Sequence, residues 1–121
     1  MTTAKDIAET SLRLTKERDR AAWLALWASD PVLEDPVGGG QHKGLEAITE
    51  FYDSTISQVE SFDYAIERSY LCGNELAVVL RFNIVAAGMT LDMDAVNIYT
   101  ASEDGRLQSL RSWWDGSRQG S

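Results

Sequence analysis

The sequence predicts an α+β fold in which a curved antiparallel sheet, closed by helices, surrounds one deep pocket. Near residue 58 the pattern changes: apolar side chains recur at helical spacing before it and alternate with polar ones after it. The length of 121 residues suits one domain with one hydrophobic core. We therefore expect a single domain over residues 1–121, with three N-terminal helices.

Two of these helices follow from apolar periodicity. Residues 4–16 place apolar side chains on one side and charged side chains elsewhere. Residues 45–57 place Leu45, Ile48 and Ile56 on a common side. Both patterns are typical of amphipathic helices that cover a core.

The remaining helix is predicted between an aspartate and a proline. Asp19 is a suitable N-cap for residues 20–29. Trp23 and Trp27 are four positions apart, which places them on one helical face. Pro31 disfavours helix at the residue before it, so we expect the helix to end there.

Four strands are predicted after residue 58, and they form an antiparallel meander. Turns are expected at the segments CGNE, AGM and SEDG. The strands cover residues 61–71, 76–86, 90–101 and 106–114.

Alternation sorts the side chains of each strand onto two faces. Three rows result, one from each of the last three strands: Val78, Leu80, Phe82 and Ile84; Leu91, Met93, Ala95, Asn97 and Tyr99; Leu110, Ser112 and Trp114. Asn97 interrupts an otherwise apolar row. It is therefore a candidate hydrogen-bond donor into a cavity, or else a buried Asn satisfied by backbone or water.

Charge and composition restrict the class of partner. The formal net charge of -8 argues against nucleic acid and anionic membranes, because both require a basic patch. No segment is apolar enough for a membrane span or a signal peptide. Cys72 is the only cysteine, so no internal disulfide bond can form. We expect a cytoplasmic protein that binds a small hydrophobic molecule.

The sequence predicts neither a cofactor nor a metal. Residues 38–40 are three glycines, but they lack the Lys-Ser/Thr ending of a phosphate-binding loop. His42 is the only histidine and lies in the same polar segment, so a solvated loop residue is expected rather than a metal ligand.

The segment VLEDPVGGGQHKG, residues 32–44, is predicted as a strand followed by a loop, and it holds the chief candidate for chemistry. Asp35 follows apolar residues and precedes Pro36. A carboxylate held among apolar groups has a raised pKa and can move protons near neutral pH. The alternative is an ordinary turn-initiating Asp-Pro pair. Glu34 is adjacent and should point to the opposite face, so the two acids do not form a catalytic pair.

Three segments, ERDRAAWLALWASDPVLEDPVG, HKGLEAITEFY and DGRLQSLRSWW, resemble the bacterial ketosteroid isomerases of the NTF2-like, or SnoaL-like, superfamily. The resemblance spans nearly the whole chain. It implies a cone-shaped α+β barrel, usually a homodimer, and it matches Asp35 to the family's catalytic base. In these enzymes, a standard worked example of pKa tuning, that base works opposite an oxyanion hole of a tyrosine and a protonated aspartic acid.

This sequence departs from the family at the oxyanion hole. The family's tyrosine falls on Ser11, and its protonated aspartic acid falls on Asn97. Asn97 can donate a hydrogen bond without being protonated, whereas Ser11 is too short and leaves a gap for water or another side chain. Tyr52 matches a tyrosine that supports the missing one, and Trp114 matches an aromatic residue near the base. Tyr52, Tyr99 or Trp114 could supply the missing donor.

The resemblance therefore implies a cofactor-independent isomerase that moves a double bond next to a carbonyl in a steroid or similar polycyclic ketone. Asp35 would be the base and Asn97 would polarise the carbonyl. The substrate would contact Tyr52, Trp114, Ser11, Val78, Leu80, Phe82, Ile84, Met93 and Leu110. Two alternatives stay open: a SnoaL-like natural-product cyclase or epoxide-opening enzyme, and a non-catalytic binder of hydrophobic ligands.

Overall fold

A computed structural model of the protein describes residues 2–114. Its helices are α1 (Ala4–Glu17), α2 (Arg20–Ala25) and α3 (Leu45–Ser54), and a 3-10 turn spans Ile56–Gln58. The first and third helices lie where apolar periodicity predicts them. Across residues 2–114, no helix has both the length and the apolar character that crossing a membrane requires.

The strands of the described chain form a six-stranded curved sheet in the order β2-β1-β6-β5-β4-β3. Their bounds are β1 Trp27–Glu34, β2 Gln41–Lys43, β3 Ser61–Cys72, β4 Glu75–Ala86, β5 Met89–Ala101 and β6 Leu107–Trp113. The predicted antiparallel meander is confirmed for β3 to β6. The expectation of a wholly antiparallel sheet is wrong, because β1 pairs with β6 in parallel. A long connection separates these two strands, so no tight hairpin forces them to be antiparallel.

The second helix is shorter than predicted. Asp19 caps it by accepting a hydrogen bond from the Ala22 backbone N–H at 3.2 Å, but the helix ends at Ala25. Trp27 instead begins β1 and pairs with Leu107 of β6. The rings of Trp23 and Trp27 still meet edge to face, 5.5 Å apart. Pairing of Trp27 with a distant strand therefore overrides the local helical pattern. The contact between the Trp23 and Trp27 rings is nevertheless kept.

A short strand replaces part of the predicted loop. The segment Gln41–Lys43 forms β2, which pairs antiparallel with the end of β1. His42 is half-buried, and its ring lies 5.1 Å from that of Phe51. The prediction that His42 is a solvated loop residue is thus wrong, because pairing between β1 and β2 holds this residue against Phe51 of α3.

The core lies between the inner face of the sheet and the helices. Helix α1 contacts β3, β4 and β5, and α3 contacts β1 and β2. The inner face carries all three predicted rows, including Leu80 of β4, Asn97 of β5 and Leu110 of β6, all of which are buried. Alternation therefore grouped these side chains correctly, and the structure shows that this face is the inner one.

Candidate active site

A cavity of about 180 Å³ lies between the sheet, α1 and α3. Its walls are mostly apolar. Polar groups reach it from nine positions: Ser11, Thr15, Arg18, Asp35, Thr55, Asn97, Tyr99, Ser112 and Trp114. A largely apolar cavity with a few convergent polar groups is typical of a small-molecule site.

Most of the residues predicted from sequence lie together on this cavity. Eight of the eleven candidates line it: Asp35, Asn97, Ser11, Trp114, Phe82, Ile84, Met93 and Leu110. They come from α1, β4, β5, β6 and the chain just after β1 and just after β6. The curvature of the sheet therefore gathers residues that are far apart in sequence.

The structure places the other three candidates elsewhere. The Tyr52 ring packs in the core against Trp23, with 5.1 Å between ring centroids. Leu80 is fully buried, and Val78 lies beside Ala8 of α1 in a second hollow. These three side chains therefore do not line this cavity, although the sequence predicts that they contact the substrate. Alternation identifies the inner face but not the part of it that stays open.

Asp35 projects into the cavity immediately after β1, where the Asp35–Pro36 peptide bond is cis. Its Oδ1 accepts a hydrogen bond from the Trp114 indole Nε1 at 2.5 Å. Burial raises the pKa of Asp35, while the Trp114 hydrogen bond and the charge of His42 act in the opposite direction. The carboxyl group therefore has one strong donor and an environment that favours its neutral form.

Glu34 faces the other side of the sheet, as alternation predicts. Its carboxylate accepts hydrogen bonds from Arg111 Nε at 3.0 Å and from the Gly38 backbone N–H at 3.2 Å. The Arg111 hydrogen bond, with that of Gly38, lowers the pKa of Glu34. Adjacent carboxyl groups thus have pKa values shifted in opposite directions, and only Asp35 reaches the cavity.

Asp35 and Asn97 are joined by a row that crosses the sheet. Asn97 is paired with Ser112 on β6, and the Ser112 carbonyl accepts a hydrogen bond from the Val37 backbone N–H at 2.8 Å. Two strand spacings therefore separate the backbones near Asp35 and Asn97, roughly 10 Å. Ser112 lies between them and also lines the cavity.

Asn97 is connected to Tyr99 on the same face of β5. Its Nδ2 donates a hydrogen bond to the Tyr99 hydroxyl at 3.0 Å. Among the described residues, Asn97 Oδ1 is buried without a hydrogen-bond partner. Burial raises the pKa of Tyr99 far above neutral, and the charge of Asp35 adds to that rise. Tyr99 therefore keeps its proton at physiological pH.

Sequence reasoning missed several members of the site. Ser112 belonged to a predicted row, but a serine in an apolar row carries little signal. Thr15 and the exposed Arg18 lie near the end of α1, where periodicity gives no reason to expect a cavity. Their position depends on how α1 crosses the sheet.

The described chain offers little for a metal ion. Within residues 2–114, no group of three or more His, Cys, Asp and Glu side chains is arranged so that it could hold one.

Replacing Trp114 with Phe is expected to raise the pKa of Asp35. The indole N–H stabilises the charged carboxylate, so its removal leaves the effect of burial less opposed. Carboxyl ¹³C NMR titration of Asp35 measures the shift directly. Trp113→Phe is the matched control, since that half-exposed ring lies under Arg111 at 4.8 Å and does not line the cavity. An unchanged Asp35 titration in Trp114→Phe would contradict the assignment.

Known proteins with a similar sequence or fold identify the family of this chain. The SnoaL-like domain family matches residues 8–110. The steroid delta-isomerase of Nocardioides simplex is 31% identical over 94 residues, covering 78% of this chain and 75% of the relative. The solved Δ5-3-ketosteroid isomerase from Mycobacterium sp. is 25% identical with a TM-score of 0.87, and the match covers 98% of both chains.

A second solved structure holds a steroid derivative. Rv0760c from Mycobacterium tuberculosis, in complex with estradiol-17β-hemisuccinate, is 27% identical with a TM-score of 0.88 over 100% of both chains. The curved sheet closed by three helices is thus the cone-shaped NTF2-like fold that the resemblance predicted. The chain belongs to the SnoaL-like domain family of the NTF2-like superfamily, and it is similar to the steroid delta-isomerases.

Proposed function

We propose that this protein is a cofactor-independent isomerase that moves a carbon–carbon double bond into conjugation with a carbonyl in a steroid or similar polycyclic ketone. The main support is Asp35, a carboxyl group in an apolar cavity with a pKa raised by burial. The solvated turn residue that a non-catalytic role would allow does not match this environment. Similarity to a steroid delta-isomerase adds to the support.

In the proposed reaction, Asp35 transfers one proton between two carbons of the substrate. The carboxylate takes a proton from the carbon between the carbonyl and the double bond, and the freed electron pair moves toward the carbonyl oxygen. The Asp35 carboxylic acid then returns the proton to the far carbon of the former double bond. The proton and electron pair are both conserved, so the step requires no redox partner.

The substrate oxygen would bind at the Asn97 end of the cavity. Asn97 lies two strand spacings from the backbone near Asp35, and polar groups at this end could stabilise the charge that develops on the oxygen. The enclosed volume of about 180 Å³ is smaller than common ligand pockets of roughly 300–1,000 Å³. The reacting ring would therefore lie inside, with the rest of the ligand in the mouth beside the exposed residues Arg18 and Thr55.

Incubation with a β,γ-unsaturated 3-ketosteroid is expected to produce the conjugated enone, which is followed by its ultraviolet absorbance. A saturated 3-ketosteroid serves as the control, because it has no double bond to move. Absence of turnover by the wild-type protein would contradict the proposed isomerase activity for this substrate class.

The homodimer implied by the resemblance stays a proposal. On the outer face of the sheet, Val96 of β5 and Trp113 of β6 lie opposite each other and are 38% and 39% exposed. An exposed apolar pair of this kind suits contact with a second copy of the chain. The cytoplasmic location also stays a prediction.

A further inference from the structure

The Tyr99 side chain lies beside Ser11, the residue on which the family's oxyanion tyrosine falls, and both line the cavity. Tyr99 extends from β5 and is only 1% exposed, yet it lines the cavity. Its oxygen accepts a hydrogen bond from Asn97 Nδ2 at 3.0 Å. A side-chain hydrogen bond with Ser11 also acts on it and lowers its pKa. A tyrosine from the sheet thus reaches the serine that stands in place of a tyrosine on the helix.

The hydrogen-bonding capacity of these groups determines what Tyr99 can offer. A phenolic oxygen carries one proton and accepts hydrogen bonds through its lone pairs. The Asn97 hydrogen bond uses the acceptor side of that oxygen. The Ser11 side chain also lies close enough to act on the Tyr99 hydroxyl, and its effect is to lower the pKa of Tyr99. Because Asn97 Nδ2 donates to the Tyr99 oxygen, that hydrogen bond leaves the Tyr99 proton free to be donated to a ligand in the cavity.

Asn97 is less suited than Tyr99 to meet the ligand oxygen. One of its two N–H groups is already donated to Tyr99, so only one N–H is left for a ligand, next to an Oδ1 that has no partner among the described residues and can only accept. An acceptor beside a developing negative charge is unfavourable. The donated N–H, in contrast, withdraws electron density from the Tyr99 oxygen and strengthens its hydroxyl as a donor.

We propose that the Tyr99 hydroxyl is the hydrogen-bond donor to the ligand's carbonyl oxygen, and that Asn97 is a positioning residue that acts through Tyr99. The inference rests on the proposed function and identifies the group that faces Asp35 during the reaction. It also accounts for Ser11, whose side chain lies against Tyr99 rather than leaving an empty space. The ligand class that fits is a planar cyclic ketone or phenol with its oxygen at this end.

Tyr99→Phe removes only the hydroxyl, so it is the most direct test. We expect kcat with a β,γ-unsaturated 3-ketosteroid to fall on the order of 10²-fold, the usual effect of losing one such donor, with a much smaller change in KM. Tyr70→Phe is the matched control, because Tyr70 is 61% exposed on β3 and away from the cavity. Thermal unfolding of each variant checks that the fold is retained.

A second readout does not depend on turnover. A bound 4-ene-3-ketosteroid whose carbonyl accepts a strong hydrogen bond absorbs at longer wavelength than the free molecule. We expect this red shift with the wild-type protein and Tyr70→Phe, and its loss in Tyr99→Phe. Asn97→Ala should diminish the shift in the wild-type background and have no effect in the Tyr99→Phe background. This non-additivity distinguishes action through Tyr99 from direct contact.

The outcomes separate this inference from the proposed function. Wild-type turnover that Tyr99→Phe leaves unchanged would overturn the role of Tyr99 and leave the isomerase intact. A Tyr99-dependent red shift without turnover would support the role of Tyr99 and overturn the isomerase. Additive effects of Asn97→Ala and Tyr99→Phe would overturn the positioning role of Asn97. Absence of binding by the 4-ene-3-ketosteroid would overturn both proposals.

Discussion

Replacing Asp35 with Asn is expected to lower kcat for isomerisation by about 10²- to 10⁴-fold, the usual contribution of a positioned general base. The amide keeps the size of the carboxyl group, and its oxygen can still accept the hydrogen bond from Trp114 Nε1. It cannot take up a proton from carbon, so kcat should fall far more than KM changes. Steady-state kinetics with a β,γ-unsaturated 3-ketosteroid measures both. Equal rates for Asp35→Asn and wild type would remove Asp35 from the role of base.

The same substitution is expected to stabilise the protein at neutral pH. The pKa of Asp35 is raised in the folded state, whereas an unfolded Asp has a pKa of about 3.9. Between the unfolded pKa and the folded pKa, the native state therefore holds more protons than the unfolded state, so wild-type stability falls as the pH rises through that window. Asp35→Asn has no ionisable group at this position, so its stability does not fall in this way and it should exceed that of wild type at neutral pH. Its advantage should vanish below about pH 4, where Asp35 is protonated in both states.

Glu34→Gln provides the control of opposite sign. Hydrogen bonds from Arg111 and Gly38 lower the pKa of Glu34 in the folded state. Its contribution to stability is present above the unfolded pKa and is lost as the pH falls through the folded pKa. Glu34→Gln should therefore be less stable than wild type at neutral pH. Urea unfolding at pH 4 and pH 7.5 tests both variants, and a stability loss in Asp35→Asn at pH 7.5 would contradict a raised Asp35 pKa.

Leu80→Ala is expected to lower the free energy of unfolding by about 2–5 kcal/mol, because Leu80 is fully buried where α1 covers the sheet. Its effect on ligand affinity should be small, since it does not line the cavity. Phe82→Ala, two residues along the same face of β4, should instead weaken binding of a 4-ene-3-ketosteroid clearly, because Phe82 forms part of the cavity wall.

Comparing these two variants distinguishes a core residue from a cavity-wall residue on the same strand. Urea unfolding gives the free energy of unfolding for each variant, and fluorescence titration with the steroid gives its Kd. The ratio of lost affinity to lost stability should be larger for Phe82→Ala than for Leu80→Ala. A larger loss of affinity in Leu80→Ala would mean that the cavity extends deeper under α1 than the structure indicates.

Strand orientation was predictable because alternation depends only on backbone geometry. Glu34 and Asp35 are on opposite faces for this reason, and Asn97 is on the inner face with Met93 and Ala95. The strand position of Trp27 was not predictable, since its local pattern suits a helix equally well. Pairing with Leu107, eighty positions along the chain, decided the outcome.

The sequence by itself determined the α+β order, the inner rows of the strands and the position of an acid between apolar residues and a proline. Only the tertiary structure decided which inner residues remain open to a ligand, because that depends on how α1 crosses the sheet. It alone brings Tyr99 to Ser11, and Trp114 to Asp35. Hydrogen bonds between side chains on different strands and helices have no local sequence pattern, since curvature and packing set the distances between them.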